Sequence, residues 1–175
     1  MKTSDLTKMS ICIAIICVAA YISFPIPFTP VMITGQTIAI NLIALILTPR
    51  KSFIVVLAYI LLGAFGLPVF AGGGAGFGKI FGPTGGFILG FLIIAPIISY
   101  LKGKNNDLKR YLILTIFLGM PILYIFGAVL MSIILQNSIK EALLLAVVPF
   151  ILGDIIKCFV ASFLAVKLNK YLYSR

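Results

Sequence analysis

The fold turns on residues 63–90, GAFGLPVFAGGGAGFGKIFGPTGGFILG, which hold eleven of the sixteen glycines in the chain. An apolar run leads into this stretch and another leads out. Between them stand Gly72, Gly73, Gly74, Gly76, Gly78, Lys79 and the turn Gly82-Pro83-Thr84-Gly85-Gly86. Inside a bilayer no water satisfies loose backbone, so irregular chain at that depth is buried in protein or lines a cavity. Glycine lets the backbone approach a ligand closely. The stretch is therefore read either as the wall or lid of a binding cavity or as a flexible outer loop without a ligand.

Composition supplies the setting. Of 175 residues, 62% are hydrophobic and 10% charged, which marks an integral membrane protein with no room for a separate soluble domain. The net charge of +10 invites a nucleic-acid reading. However, the lysines and arginines sit in short gaps between apolar runs, as membrane proteins place them. The chain has no histidine, which removes His-ligated metal sites and His-activated nucleophiles. Cys12, Cys17 and Cys158 lie in apolar runs and read as small buried side chains, not as a disulfide frame. The N-terminal MKTSDLTKMSICIAIICVAA has the layout of a signal peptide. Because the chain stays apolar beyond it, it is read as a retained first span.

Six spans are predicted, at 9–24, 36–47, 52–67, 85–101, 111–135 and 149–168. The fold class is thus an all-α membrane protein, one transmembrane unit over residues 1–175, with the Gly-rich loop between the third and fourth spans. Pro25, Pro27 and Pro30 interrupt the chain before the short second span. Residues 139–148 read as a short amphipathic segment, and Pro149 suits the first turn of the last helix. Eleven of the fourteen basic residues fall at the termini and in the gaps after spans two and four. That bias predicts both termini in the cytoplasm and the Pro-rich and Gly-rich segments outside.

Asp154 and Lys157 are the charges embedded within a span. Ionisable groups at that depth face a bundle interior or a wet cavity. Three residues apart, they share a helix face, separated by about 4.5 Å of rise. They form either a structural ion pair or a ligand site, on the same side as the Gly-rich loop. Lys79 either meets an anionic ligand group at the pocket mouth or faces solvent. Gly73, Gly78 and Lys79 match the start of a phosphate-binding loop, but Ile80 stands where a Ser or Thr would hold magnesium, so nucleotide binding is rejected. Thr29, Thr34, Gln36, Thr37 and Asn41 form a neutral polar cluster. Gln36 and Asn41 are favoured as pocket lining over capping. Tyr21, Phe24 and Phe28 offer an apolar wall or interfacial anchors. In span one, Ser10, Ala14 and Cys17 share a small-residue face, suited to close helix packing within the chain or against a partner.

Three stretches together resemble the biotin-specific substrate-binding component of energy-coupling-factor (ECF) vitamin transporters, the BioY family. They are FPIPFTPVMITGQT, LLGAFGLPVFAGGGAGFGKIFGPTGGFILGF and PFILGDIIKCFVA. The second is the most specific. Gly35 departs from the larger residue expected before Gln36. The resemblance implies a six-helix protein of the cell membrane that captures biotin near the outer surface and catalyses no reaction. It implies partners: a transmembrane coupling protein and two cytoplasmic ATPases, which alone use ATP. Docking would run through Ser10, Ala14 and Cys17 or Val18. Asp154 would accept a ureido N–H, and Lys157 would serve the ureido carbonyl or the carboxylate. Lys79 and the Gly73–Gly74 backbone would close the remaining end, with Gln36, Asn41 and Tyr21 as further lining. The readings set against it are a sibling component for another vitamin, an intramembrane enzyme, and a structural subunit without ligand.

Overall fold

The computed structural model describes residues 3–172. Lys2 and Arg175, both counted in the charge bias, lie outside the described residues. The chain begins with helix α1 (Thr3–Tyr21), whose Met9, Cys12, Ile16 and Ala20 face inward. A small antiparallel hairpin follows, β1 (Ser23–Pro25) and β2 (Met32–Thr34), in the register Ser23 to Thr34 and Pro25 to Met32. The proline-rich segment therefore makes a ribbon; its prolines sit at the strand end and in the connection, where no ladder N–H is lost.

Helix α2 (Gln36–Ile46) is the hub, short and buried almost throughout. It is surrounded by α1, by α3 (Pro49–Ala64), by α5 (Gly85–Leu101) and by α9 (Ile151–Leu172). A helix apolar all round is what a bundle centre requires. Between α3 and α5 the Gly-rich stretch forms a 3₁₀ turn (Ala71–Gly73) and the short helix α4 (Phe77–Ile80). This stretch is pinned. Phe70 is buried edge-to-face against Tyr59, with ring centroids 5.6 Å apart. A Cβ on Gly63 would overlap the Phe70 ring, and Gly76 N donates to Gly63 O at 2.7 Å. Gly72, Gly73 and Gly76 have φ of 69°, 73° and 82°, the left-handed region that glycine enters without strain.

After α5 come α6 (Leu108–Leu114), a π-helical turn (Thr115–Gly119) and α7 (Met120–Leu135), continuous in direction. Helix α5 meets α7 closely because a Cβ on Gly86 would lie 2.1 Å from Phe126 O, and one on Gly127 would strike the Phe87 ring. Helix α8 (Ile139–Ala146) carries a Ser138–Glu141 capping box, and the 3₁₀ turn Val148–Phe150 leads into α9. Pro149 thus sits one turn ahead of the last helix and not inside it.

Three stretches, Thr3–Tyr21, Leu108–Leu135 and Ile139–Tyr171, are long and apolar enough to cross a membrane; Gln36–Ile46 and Gly85–Leu101 are shorter apolar helices. The protein is a multi-pass membrane protein. The start of α1 and the start of α3 lie at one end, joined by the 2.6 Å Lys51–Asp5 ion pair. The α5–α6 turn and the end of α9 join them there, through Asn106 on Val166 O and Asn169 on Leu45 O. The hairpin, the Gly-rich stretch and α8 lie at the other end.

Candidate functional site

A cavity partly open to solvent lies at the hairpin end. Its walls come from β2, the start of α2, the Gly-rich stretch, α5, α7 and the start of α9. Ligand pockets are mostly apolar, with a few fixed polar groups. The apolar part here is Phe70, Phe87, Ile88, Phe91, Leu123 and Phe150. The polar lining is Asp154, Lys157, Tyr124, Lys79, Thr34, Gln36, Thr37 and Thr84.

Asp154 is 5% exposed. Lys157 Nζ donates to its Oδ1 at 2.8 Å, and Tyr124 Oη donates to its Oδ2 at 2.8 Å. The i,i+3 spacing on α9 brings the two charges together, as their shared face predicts. Each carboxylate oxygen has two lone-pair sites, so one remains on each, and the ammonium keeps two further N–H groups. A buried pair of this kind presents one acceptor and one donor side by side, in a setting where both are strong because water is scarce. The pair costs desolvation, which three-way hydrogen bonding offsets.

Lys79 lines the cavity from the Gly-rich stretch. Its stem lies across Gly74, where a Cβ would come within 2.5 Å of Lys79 Cε. Gly74 thereby lets the lysine lie flat and reach the cavity. Gln36 lines the cavity and also donates from Nε2 to Tyr59 Oη.

Four residues expected to line the site do not. Asn41 lies one turn deeper, 2% exposed, with Nδ2 on Cys158 Sγ at 3.6 Å and Oδ1 without a partner. One helical turn below Gln36, α9 and the π-helical turn cover it. Gly73 and Gly74 serve the turn itself, donating to Phe70 O at 3.0 and 3.2 Å. Tyr21 is 58% exposed and donates to Pro68 O at 2.5 Å, tying α1 to the Gly-rich stretch from outside. Phe24 and Phe28 point outward as well, each 64% exposed. Conversely, Tyr124 was missed. It is thirty residues from Asp154 and sits in an apolar run, so only the fold that brings its hydroxyl to Asp154 reveals it.

On α1, Ser10, Ala14 and Val18 are exposed, and Cys17 is half-buried against the core. The outward face is thus Ser10–Ala14–Val18, with Cys17 turned partly inward.

The chain is thus a multi-pass membrane protein with a cavity of mixed polar and apolar lining at one end of its bundle. The chain belongs to the BioY family, whose profile matches residues 1–174. Among similar proteins is a biotin transporter BioY of Thermotoga maritima, 37% identical over 95% of this chain and 96% of that one. Another is the biotin transporter BioY2 of Lactococcus lactis subsp. cremoris, 34% identical over 98% of this chain and 93% of its own. The fold matches a solved S-component for biotin from an ECF-type ABC transporter, with TM-score 0.90 and 27% identity, covering 97% of this chain and 95% of that one.

Proposed function

We propose that this protein captures biotin at the outer face of the cell membrane and serves as the substrate-specific component of an ECF transporter. The observation that carries the reading is the Tyr124–Asp154–Lys157 cluster at the polar end of the cavity. The named relatives are biotin transporters and the structural neighbour is a biotin S-component.

Biotin offers a ureido ring with two N–H donors and one carbonyl, a thioether ring, and a carboxylate on an apolar tail. Asp154 accepts a ureido N–H. Lys157, three residues away on the same helix, donates to the ureido carbonyl beside it. The carboxylate lies at the far end of the tail and is assigned to Lys79, which also lines the cavity. Phe87, Phe91 and Phe150 take the rings and tail.

In this reading the chain is a single unit over residues 1–175 with six spans and both termini cytoplasmic. The support is the basic bias, since the end of the bundle that holds Lys51, Lys102, Lys104, Lys109 and Arg110 is the basic one. The cavity then opens outward. Energy comes from two ATPases reached through a transmembrane coupling protein, which docks on the Ser10–Ala14–Val18 face with Cys17 at its edge. Equilibrium binding of radiolabelled biotin to the purified protein, with unlabelled thiamine and riboflavin as competitors, tests the substrate. Saturable binding that neither competitor displaces is expected. Displacement by either vitamin, or no binding by folded protein, moves the assignment to a sibling substrate.

A further inference from the structure

A second cavity, of about 510 Å³, lies at the opposite end of the same helices. Asp154 and Asn169 mark the two cavities on α9, and fifteen residues of helix put them about 22 Å apart. Pro49, Ser99, Lys102, Lys104, Tyr111 and Asn169 are among its lining residues.

Lys102, in the gap after the fourth predicted span, is only 7% exposed. Its Nζ donates to Leu45 O at 2.8 Å and to Leu47 O at 2.6 Å, which leaves one N–H. Those carbonyls end α2 and carry only partial negative charge. No carboxylate among the described residues lines this cavity. A buried cation met by dipoles alone is poorly compensated. Lys104 adds a second positive charge, and the start of the sixteen-residue α3 adds the positive end of its dipole. Burial pushes Lys102 down to about 8, consistent with a missing counter-charge.

Asn169 supplies an independent observation. Its Nδ2 donates to Leu45 O at 3.2 Å and Tyr111 Oη at 2.9 Å, while its Oδ1 is buried without a donor. The cavity therefore asks for two things at once, a negative oxygen and an O–H. A simple carboxylate supplies only the first. Monohydrogen phosphate, or the glycerol phosphate of an anionic phospholipid headgroup, supplies both.

We propose that this cavity binds a hydroxyl-bearing phosphate, whose anionic oxygen meets Lys102 and whose hydroxyl supplies the donor that Asn169 lacks. The ligand would tie together the ends of α2, α5 and α9, the helices whose other ends form the first cavity.

The test is thermal unfolding of the full chain in neutral detergent at pH 7, in inorganic phosphate, sulfate or chloride at equal ionic strength. A parallel arm uses phosphatidylcholine nanodiscs with and without phosphatidylglycerol. Phosphate or phosphatidylglycerol is expected to raise Tm by about 3 °C or more. A response to inorganic phosphate identifies a soluble source; a response to phosphatidylglycerol alone identifies the headgroup. Lys102→Met and Asn169→Leu should flatten the response. Should both fail to fold, the exposed Lys104→Gln serves, with a reduced response expected. No response by the parent protein, or an undiminished one in the variants, overturns the site. Equal stabilisation by sulfate, which carries no O–H at this pH, overturns the hydroxyl requirement.

Discussion

Tyr124 and Asp154 are joined by a 2.8 Å hydrogen bond that runs from α7 to α9 at the edge of the first cavity. The bond fixes one carboxylate oxygen while Lys157 fixes the other, so the acceptor is already oriented before a ligand arrives. Preorganisation of this kind reduces the ordering cost of binding.

Tyr124→Phe removes the hydroxyl and keeps the ring. Loss of one charge-assisted hydrogen bond costs about 1.5–3 kcal/mol when the acceptor stays buried, and less when a ligand N–H replaces it. Biotin affinity is expected to fall roughly three- to tenfold, about 0.7–1.4 kcal/mol. Isothermal titration reads this directly, and an unchanged Kd would remove Tyr124 from the preorganising role.

Lys79 and Lys157 are assigned to opposite ends of the ligand, and biotinamide separates them. Lys79→Gln should weaken biotin about tenfold or more, since a charge-assisted bond to the carboxylate is lost. It should hardly affect biotinamide, which lacks that charge. If biotinamide suffers equally, Lys79 does not hold the carboxylate.

On the exposed face of α1, Ala14→Trp places a bulky ring where a partner helix would approach. Biotin binding to the isolated protein is expected to be preserved and uptake by cells with the coupling module abolished. Intact uptake would refute this face as the docking surface.

Lys102 gives a pH signature at the basic end. Its folded-state value is lowered to about 8 from 10.5, so below pH 8 both folded and unfolded states are charged and the burial cost is fully present. Between about pH 8 and 10.5 the folded state releases its proton first, the unfolded state binds more protons, and stability rises with pH. The slope is at most about 1.4 kcal/mol per pH unit for one group. Lys104 and Tyr111, which line the same cavity, remain in Lys102→Met and cancel in the comparison. The parent should therefore gain stability relative to Lys102→Met across that window, in unfolding measured without phosphate. A flat difference would contradict the buried cation.

How much of this was legible in sequence depends on whether the signal was local. Helix α5 spans Gly85–Leu101, the bounds its glycine start and basic end predict, and α2 begins at Gln36 after the last proline. The Asp154–Lys157 pair was legible because three residues of helix place both on one face. The hairpin was not, because its strands of three residues are too short to display alternation. Tyr124 and the burial of Lys102 were hidden for one reason: both depend on where distant helices pack. Asn41 failed as a lining residue because one further turn of helix carries it beneath the cavity floor.

Whether Asp154 accepts the ligand's ureido N–H is read from the biotin Kd of Asp154→Asn beside that of the parent. The substitution keeps the size but removes the charge and replaces one acceptor oxygen with an NH2 donor. More than tenfold weaker binding, about 1.4 kcal/mol or more, is expected of a variant that still folds. A Kd within twofold of the parent would contradict it and take Asp154 out of the site.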